Sequence, residues 1–224
     1  FEVTGSFYSD ISKNTWPTTC FYLGLNRPRR CRLSEAPQTS EADIRQSGGP
    51  KEAPEDVLRA NTYSLLAHLL SAPPVEDSLN LLSRIDVQDS ESGDLLGAAW
   101  QMLRQAAGRS DTAELNDEYH DLFTGMGRGE LMPFGSWYMT GFLMEQPLAK
   151  LRGDLLELGF ARQEGVTDPE DHAAALCEVM SMITTADLAA QGQFFQRHIA
   201  TWMPRFFRDM QEASSARFYR AVGQ

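Results

Sequence analysis

The chain has no apolar run approaching the ~18 residues that a membrane-spanning helix needs, so no membrane span is expected. Cysteine is scarce as well. Cys20, Cys31 and Cys177 make no disulfide framework, and that usage fits a reducing, cytoplasmic setting. Cys20 and Cys31 could pair, whereas Cys177 falls in an apolar helical pattern and reads as a buried thiol. No export signal is expected, because the given N-terminus has no basic flank followed by an apolar core. Arg29-Arg30 is followed by CRLSEAPQTSEAD, which is too polar for a twin-arginine signal.

Basic charge is in deficit, with 20 Lys and Arg against 31 Asp and Glu and a formal net charge of -11. Residues 1–50 hold six basic and five acidic residues, which leaves fourteen against twenty-six in residues 51–224. An acidic body argues against nucleic acid, where a basic face is the expected footprint. It is compatible with a basic ligand, or with solubility alone.

Catalytic signatures are absent too. There is no CxxC, HExxH or Glu-x-x-His pair suited to a metal, and no GxSxG. Glu118, His120 and Asp121 are sequence neighbours that a helix spreads over different faces. The loop Gly125–Gly129 is glycine-rich, but it lacks the GK[ST] ending and the preceding strand of a phosphate loop. A nucleotide-binding enzyme using this loop is the alternative reading; the favoured one has no chemistry of its own and no cofactor.

The pattern that is present is helical. Residues 1–50 show no sustained period and are punctuated by Pro17, Pro28, Pro37, Gly48, Gly49 and Pro50, so a poorly ordered leader is expected ahead of one helical domain over 51–224. From Pro54 onward, leucines recur at helical spacing. Pro54, Glu55 and Asp56 suit a first turn, and Ala72-Pro73-Pro74 suits a stop. A shorter helix is expected over Asp77 to Ile85. Asp94 should cap a helix with Leu95, Ala99, Met102, Leu103 and Ala106 on one face. Asp111 and Glu114 are spaced as a capping box, ahead of a stripe of Leu115, Tyr119, Leu122 and Phe123 that Gly125 ends. Ser136 can cap the next helix, WYMTGFLME, and Pro147 starts another that stops at Gly159. Asp168 and Pro169 read as the cap and first residue of a helix with His172, Leu176, Val179 and Ile183 in line. Gly192 interrupts the pattern that follows. No strand is expected, and the fold class is all-α, with roughly nine helices joined by short loops.

Two stretches present side chains suited to a ligand. Glu118–Ser136 (EYHDLFTGMGRGELMPFGS) carries Tyr119, Leu122, Phe123, Pro133, Phe134 and Gly135. Pro169–His172 carries Glu170, Asp171 and His172. Carboxylates take guanidinium groups in charge-assisted, often bidentate bonds, while the aromatic and leucine side chains could floor an apolar groove. The plainer reading stays open: Glu170 and Asp171 satisfy a helix end, His172 packs, and Leu122 and Phe123 belong to the core.

From Pro54 to Gly223 the chain resembles the TorD/DmsD family of cytoplasmic chaperones for molybdoenzymes. Three blocks carry the likeness: EYHDLFTGMGRGELMPFGSWYMTGFL (Glu118–Leu143), PEDH (Pro169–His172) and FFQRHIATWMPRFFRDMQEASSARFYRAVG (Phe194–Gly223). Residues 1–50 have no counterpart in the resemblance, and the order Thr201-Trp202-Met203-Pro204 departs from the more usual proline before tryptophan. The resemblance implies an all-helical protein that binds the twin-arginine signal peptide of a molybdenum-cofactor oxidoreductase and holds it until cofactor insertion and export. It implies as partner the apo form of a catalytic subunit of the formate dehydrogenase or trimethylamine-oxide, dimethyl-sulfoxide or nitrate reductase type. It implies a monomer or a segment-swapped dimer. Carried over by position, the peptide-binding residues are Tyr119, Leu122, Phe123, Pro133, Phe134, Gly135, Asp171 and His172, with Glu170 added on its chemistry.

Overall fold

Helix α7, Ala173–Ile183, is apolar except at Glu178 and Ser181, and such a helix has to sit in a core. Ala173, Ala174, Ala175, Leu176, Cys177, Val179, Met180 and Ile183 are all buried. This computed structural model describes residues 54–87, 95–125, 129–162, 168–184 and 188–224. The expected leader, the Cys20/Cys31 pair and the Asp94 cap lie outside the described residues.

Among the described residues there are ten α-helices and one π-helical turn, with no strand beyond isolated bridges, of which Phe134–His172 joins two described residues. The all-α expectation therefore holds. Helix α1 (Pro54–Ser71) lies against α7, burying Leu65, Leu69 and Leu70. Helix α2 (Glu76–Ser83) packs on α3 (Leu95–Ala107), and a 2.9 Å hydrogen bond between His68 Nε2 and Ser78 Oγ ties α1 to α2. Then follow α4 (Thr112–Tyr119), the π turn His120–Thr124, α5 (Gly135–Thr140) and α6 (Gln146–Glu157). After α7 come α8 (Leu188–His198), α9 (Met203–Glu212) and α10 (Phe218–Val222). Helix α10 packs against both α3 and α9, so the C-terminus closes the fold on its first half. No described helix is long and apolar enough to cross a membrane.

Five local expectations are corrected. The buried face of α3 is Gly97, Trp100, Leu103 and Ala107, whereas Leu95 and Met102 are 85% and 43% exposed. The indole is the larger apolar body, and it sets the helix's rotation. The stripe Leu115–Phe123 is not one α-helix, because the chain loosens into a π turn after Tyr119. Helix α5 starts at Gly135, with Phe134 rather than Ser136 in the cap position, and ends at Thr140 because Gly141 turns left-handed (φ 83°). Helix α7 begins at Ala173 rather than at Pro169, because residues 169–172 are drawn into contact with 133–136. Gly192 lies inside α8 and does not interrupt it.

Candidate functional site

Asp111 caps α4 by accepting from the amides of Ala113 and Glu114 at 2.8 and 3.4 Å. At the penultimate position of this helix, Glu118 is buried and accepts three backbone N–H bonds, from Arg217 (2.7 Å), Phe218 (3.2 Å) and Tyr219 (2.8 Å). The carboxylate thus satisfies the free amides that open α10. In the π turn, the Gly125 amide reaches back five residues to the His120 carbonyl. The returning chain then donates from Glu130 and Leu131 to the carbonyls of Asp121 and Leu122 at 3.0 and 2.8 Å. Gly129 is required at that approach, since a Cβ there would lie 2.5 Å from the Phe123 carbonyl carbon. Met126, Gly127 and Arg128, the middle of the glycine-rich loop, lie outside the described residues.

Leu122 is fully buried. The Tyr119 hydroxyl donates to the Leu70 carbonyl at 3.3 Å, and burial pushes its pKa up to about 12. The rings of Tyr119, Phe123 and Tyr219 form a cluster, with centroids 5.0 to 6.0 Å apart.

A second assembly joins the two stretches singled out in the sequence. The Gly135 amide donates to the Asp171 carbonyl at 2.9 Å, the Ala173 amide to the Pro133 carbonyl at 2.8 Å, and Phe134 and His172 form the isolated antiparallel bridge. The Ser136 amide donates to Asp171 Oδ2 at 2.7 Å. Asp171 therefore serves the start of α5 from across the fold and not the start of its own helix. That role falls to His172, whose Nδ1 accepts from the Ala174 amide at 3.1 Å. The imidazole stands edge-on to the Phe134 ring, 5.0 Å between centroids. Burial lowers its pKa to about 3, which keeps it neutral at ordinary pH. Gly135 has a steric reason too: a Cβ would sit 3.0 Å from Trp202 Nε1, which itself donates to the His198 carbonyl at 2.7 Å.

Glu170 faces away from this contact, toward Arg152. The guanidinium grips it through Nε and Nη2 at 2.9 to 3.1 Å, and Arg162 approaches to 3.5 Å. Burial raises its pKa, but the Arg152 bonds outweigh that and hold the carboxyl below its usual value.

A cavity of about 570 Å³ opens beside the joined stretches. Of the nine residues expected from sequence, Gly135 and Asp171 line it; the rest of the wall includes Met139, Lys150, Asp154, Arg197, His198 and Trp202. Asp154 is already partnered, by His198 Nε2 at 2.6 Å and by Arg197 Nη1 at 3.2 Å. Burial raises its pKa, and these partners together lower it below the usual range. Asp171 is different. It is 2% exposed, and its Oδ1 is buried with no hydrogen-bond partner. A buried carboxylate oxygen left in that state is costly. Tyr119, Leu122 and Phe123 are not brought to this wall; the Tyr119 and Phe123 rings pack on Tyr219, and Leu122 lies in the core. Asp154, His198 and Trp202 were missed as wall residues.

Comparison with known proteins gives a consistent picture. The family described as "Nitrate reductase delta subunit" matches residues 91–208, more than half of the chain. The protein of Aliivibrio fischeri named "Chaperone protein TorD" is 26% identical over 187 residues, covering 73% of this chain and 87% of that relative. Its namesake in Aliivibrio salmonicida is 25% identical over 187 residues, with the same two coverages of 73% and 87%. The Vibrio cholerae protein of that name is 25% identical over 138 residues, 55% of this chain and 63% of the relative.

Proposed function

The chain belongs to the nitrate reductase delta subunit family, the TorD/DmsD kind of chaperone, and from that premise we propose that it binds the twin-arginine signal peptide of a molybdoenzyme's catalytic subunit in the cytoplasm. It holds the precursor until the molybdenum cofactor is inserted, and only then releases it for export. The function is capture and timing, with no reaction catalysed by the chain itself.

The observation that carries this reading is the unpartnered Oδ1 of Asp171 at the wall of a cavity built where the two stretches meet. A guanidinium is the donor best matched to a carboxylate in a low-dielectric wall, because it is permanently charged, planar and weakly hydrated. Glu170 and Arg152 make a similar pairing within the chain itself, which illustrates the geometry a client arginine would adopt. Phe134, Gly135 and His172 hold the Asp171 backbone in place. Tyr119, Leu122, Phe123 and Pro133 are proposed to shape the turn that delivers them. Neutral His172 adds no positive charge to repel the peptide.

Calorimetric titration with a twin-arginine signal peptide and its Lys-Lys version tests the reading. The Arg-Arg peptide is expected to bind at least ~tenfold more tightly, the scale of one well-placed charge-assisted pair. Asp171→Asn should remove most of that difference. Equal affinity for both peptides would sink it.

A further inference from the structure

Beside the cavity, the connection between α5 and α6 exposes an unusual run of large apolar side chains. Met139 is 48% exposed, Phe142 68%, Leu143 40% and Met144 69%. Single exposed apolar residues are ordinary, but a contiguous group of this size on one loop marks an interaction surface. The backbone holds the group outward. Gly141 adopts φ 83°, and the Thr140 hydroxyl accepts from the Phe142 amide at 3.2 Å while itself donating to the Ser136 carbonyl at 2.8 Å. Met144 adopts φ 60°, the one non-glycine residue in the left-handed region among the described residues. An L-residue held there is strained, and strain of this kind persists where surrounding structure enforces it.

The loop is continuous with the cavity. Met139 and Thr140, which precede it, and Gln146 and Pro147, which follow it, all line the wall that holds Asp171. The exposed connection is therefore an apolar lip that joins two stretches of the wall holding Asp171. Two methionines suit that place, since their flexible, polarizable side chains adapt to varied apolar partners.

We infer that Phe142, Leu143 and Met144 form the subsite for the apolar segment that follows the basic pair of the bound peptide. This rests on the reading of the cavity given above and moves the apolar contact away from Tyr119, Leu122 and Phe123. Charge complementarity selects this occupant: an apolar segment linked to a basic pair satisfies both the lip and the Asp171 oxygen, whereas a purely apolar partner would leave that oxygen unpaired.

The test uses the full chain, the double variant Phe142→Ser/Met144→Ser, and two synthetic peptides with the same Arg-Arg pair. One peptide keeps its apolar stretch, and the other has it replaced by Ser and Gln. Wild-type protein should prefer the apolar peptide by about tenfold or more, the scale of burying one large side chain after ordering costs. The double variant should bind both peptides equally, at the affinity of the polar one. Its melting temperature should be unchanged, because these side chains are exposed. A double variant that keeps the wild-type preference overturns the lip and leaves the cavity reading standing. A wild-type protein that binds neither peptide overturns both. Sedimentation provides the remaining arm: a dimer that dissociates in the double variant would give the lip to a second copy of the chain and overturn the peptide assignment.

Discussion

Glu118 and Asp171 are both buried carboxylates on segments that the sequence marks out, and the fold treats them in opposite ways. Glu118 receives three backbone amides from the start of α10. Asp171 receives one, from Ser136, and keeps its second oxygen without a partner beside a cavity. The difference separates a group that holds the protein together from one that is proposed to receive a ligand. Burial alone does not make the distinction, since Asp171 is the less exposed of the two, at 2% against 8%. What decides it is how many donors the surrounding backbone supplies.

The contrast can be broken first at Glu118. Glu118→Ala leaves three amides without their acceptor, and stability should fall by roughly 3 kcal/mol or more in chemical denaturation. Any loss of peptide binding should then follow the loss of folded protein. A change under about 1 kcal/mol would mean that α10 finds its cap elsewhere.

The next effect concerns His172. Its pKa is lowered in the folded chain, so between its unfolded value near ~6.5 and about 3 the unfolded state binds more protons. Stability must therefore fall as pH drops through that window. The contribution of this one group between pH 7 and 5 should be about 2 kcal/mol. His68 shifts in the same direction, so the measurement is a difference: His172→Asn keeps a capping acceptor and should flatten the dependence by about that amount. The carboxylates Glu170 and Asp154, whose pKa values are lowered, lose their contributions only at more acidic pH. An unchanged pH profile in the variant would show that the imidazole titrates freely.

Gly135→Ala should cost roughly 1–3 kcal/mol by pushing a methyl against the Trp202 indole. Tryptophan fluorescence and the denaturation midpoint report it together. The smallest effect on stability is expected from Asp171→Asn, under about 1 kcal/mol, because an amide oxygen can still accept from Ser136. The same change should abolish most arginine discrimination. A variant as unstable as Glu118→Ala would erase the contrast between the two carboxylates.

Much of the helical framework was legible along the chain. Leucines at three- and four-residue steps, Asp111 as a cap and Gly125 and Gly159 as stops each act within a turn or two, so local chemistry suffices to read them. The start of α7 was misread for an equally physical reason. Pro169 and its acids fit a first helical turn, but the backbone of 133–136 draws in Asp171 from thirty-odd residues away, and Arg152 takes Glu170. The exposed lip was hidden because Phe142, Leu143 and Met144 continue a helical pattern until Gly141 is seen in its left-handed turn.

By itself, the order of residues determined an all-helical, acidic chain with ligand-suited side chains concentrated in Glu118–Ser136 and Pro169–His172. Those features arise from periodicity, capping and charge, which are local or additive. Only the tertiary structure decided that Glu118 is consumed by α10, that Glu170 is gripped by Arg152, and that Asp171 keeps a buried oxygen without a partner. Each of those outcomes depends on which backbone amide or guanidinium arrives from a distant part of the chain, and hydrogen bonding reaches only about 3 Å.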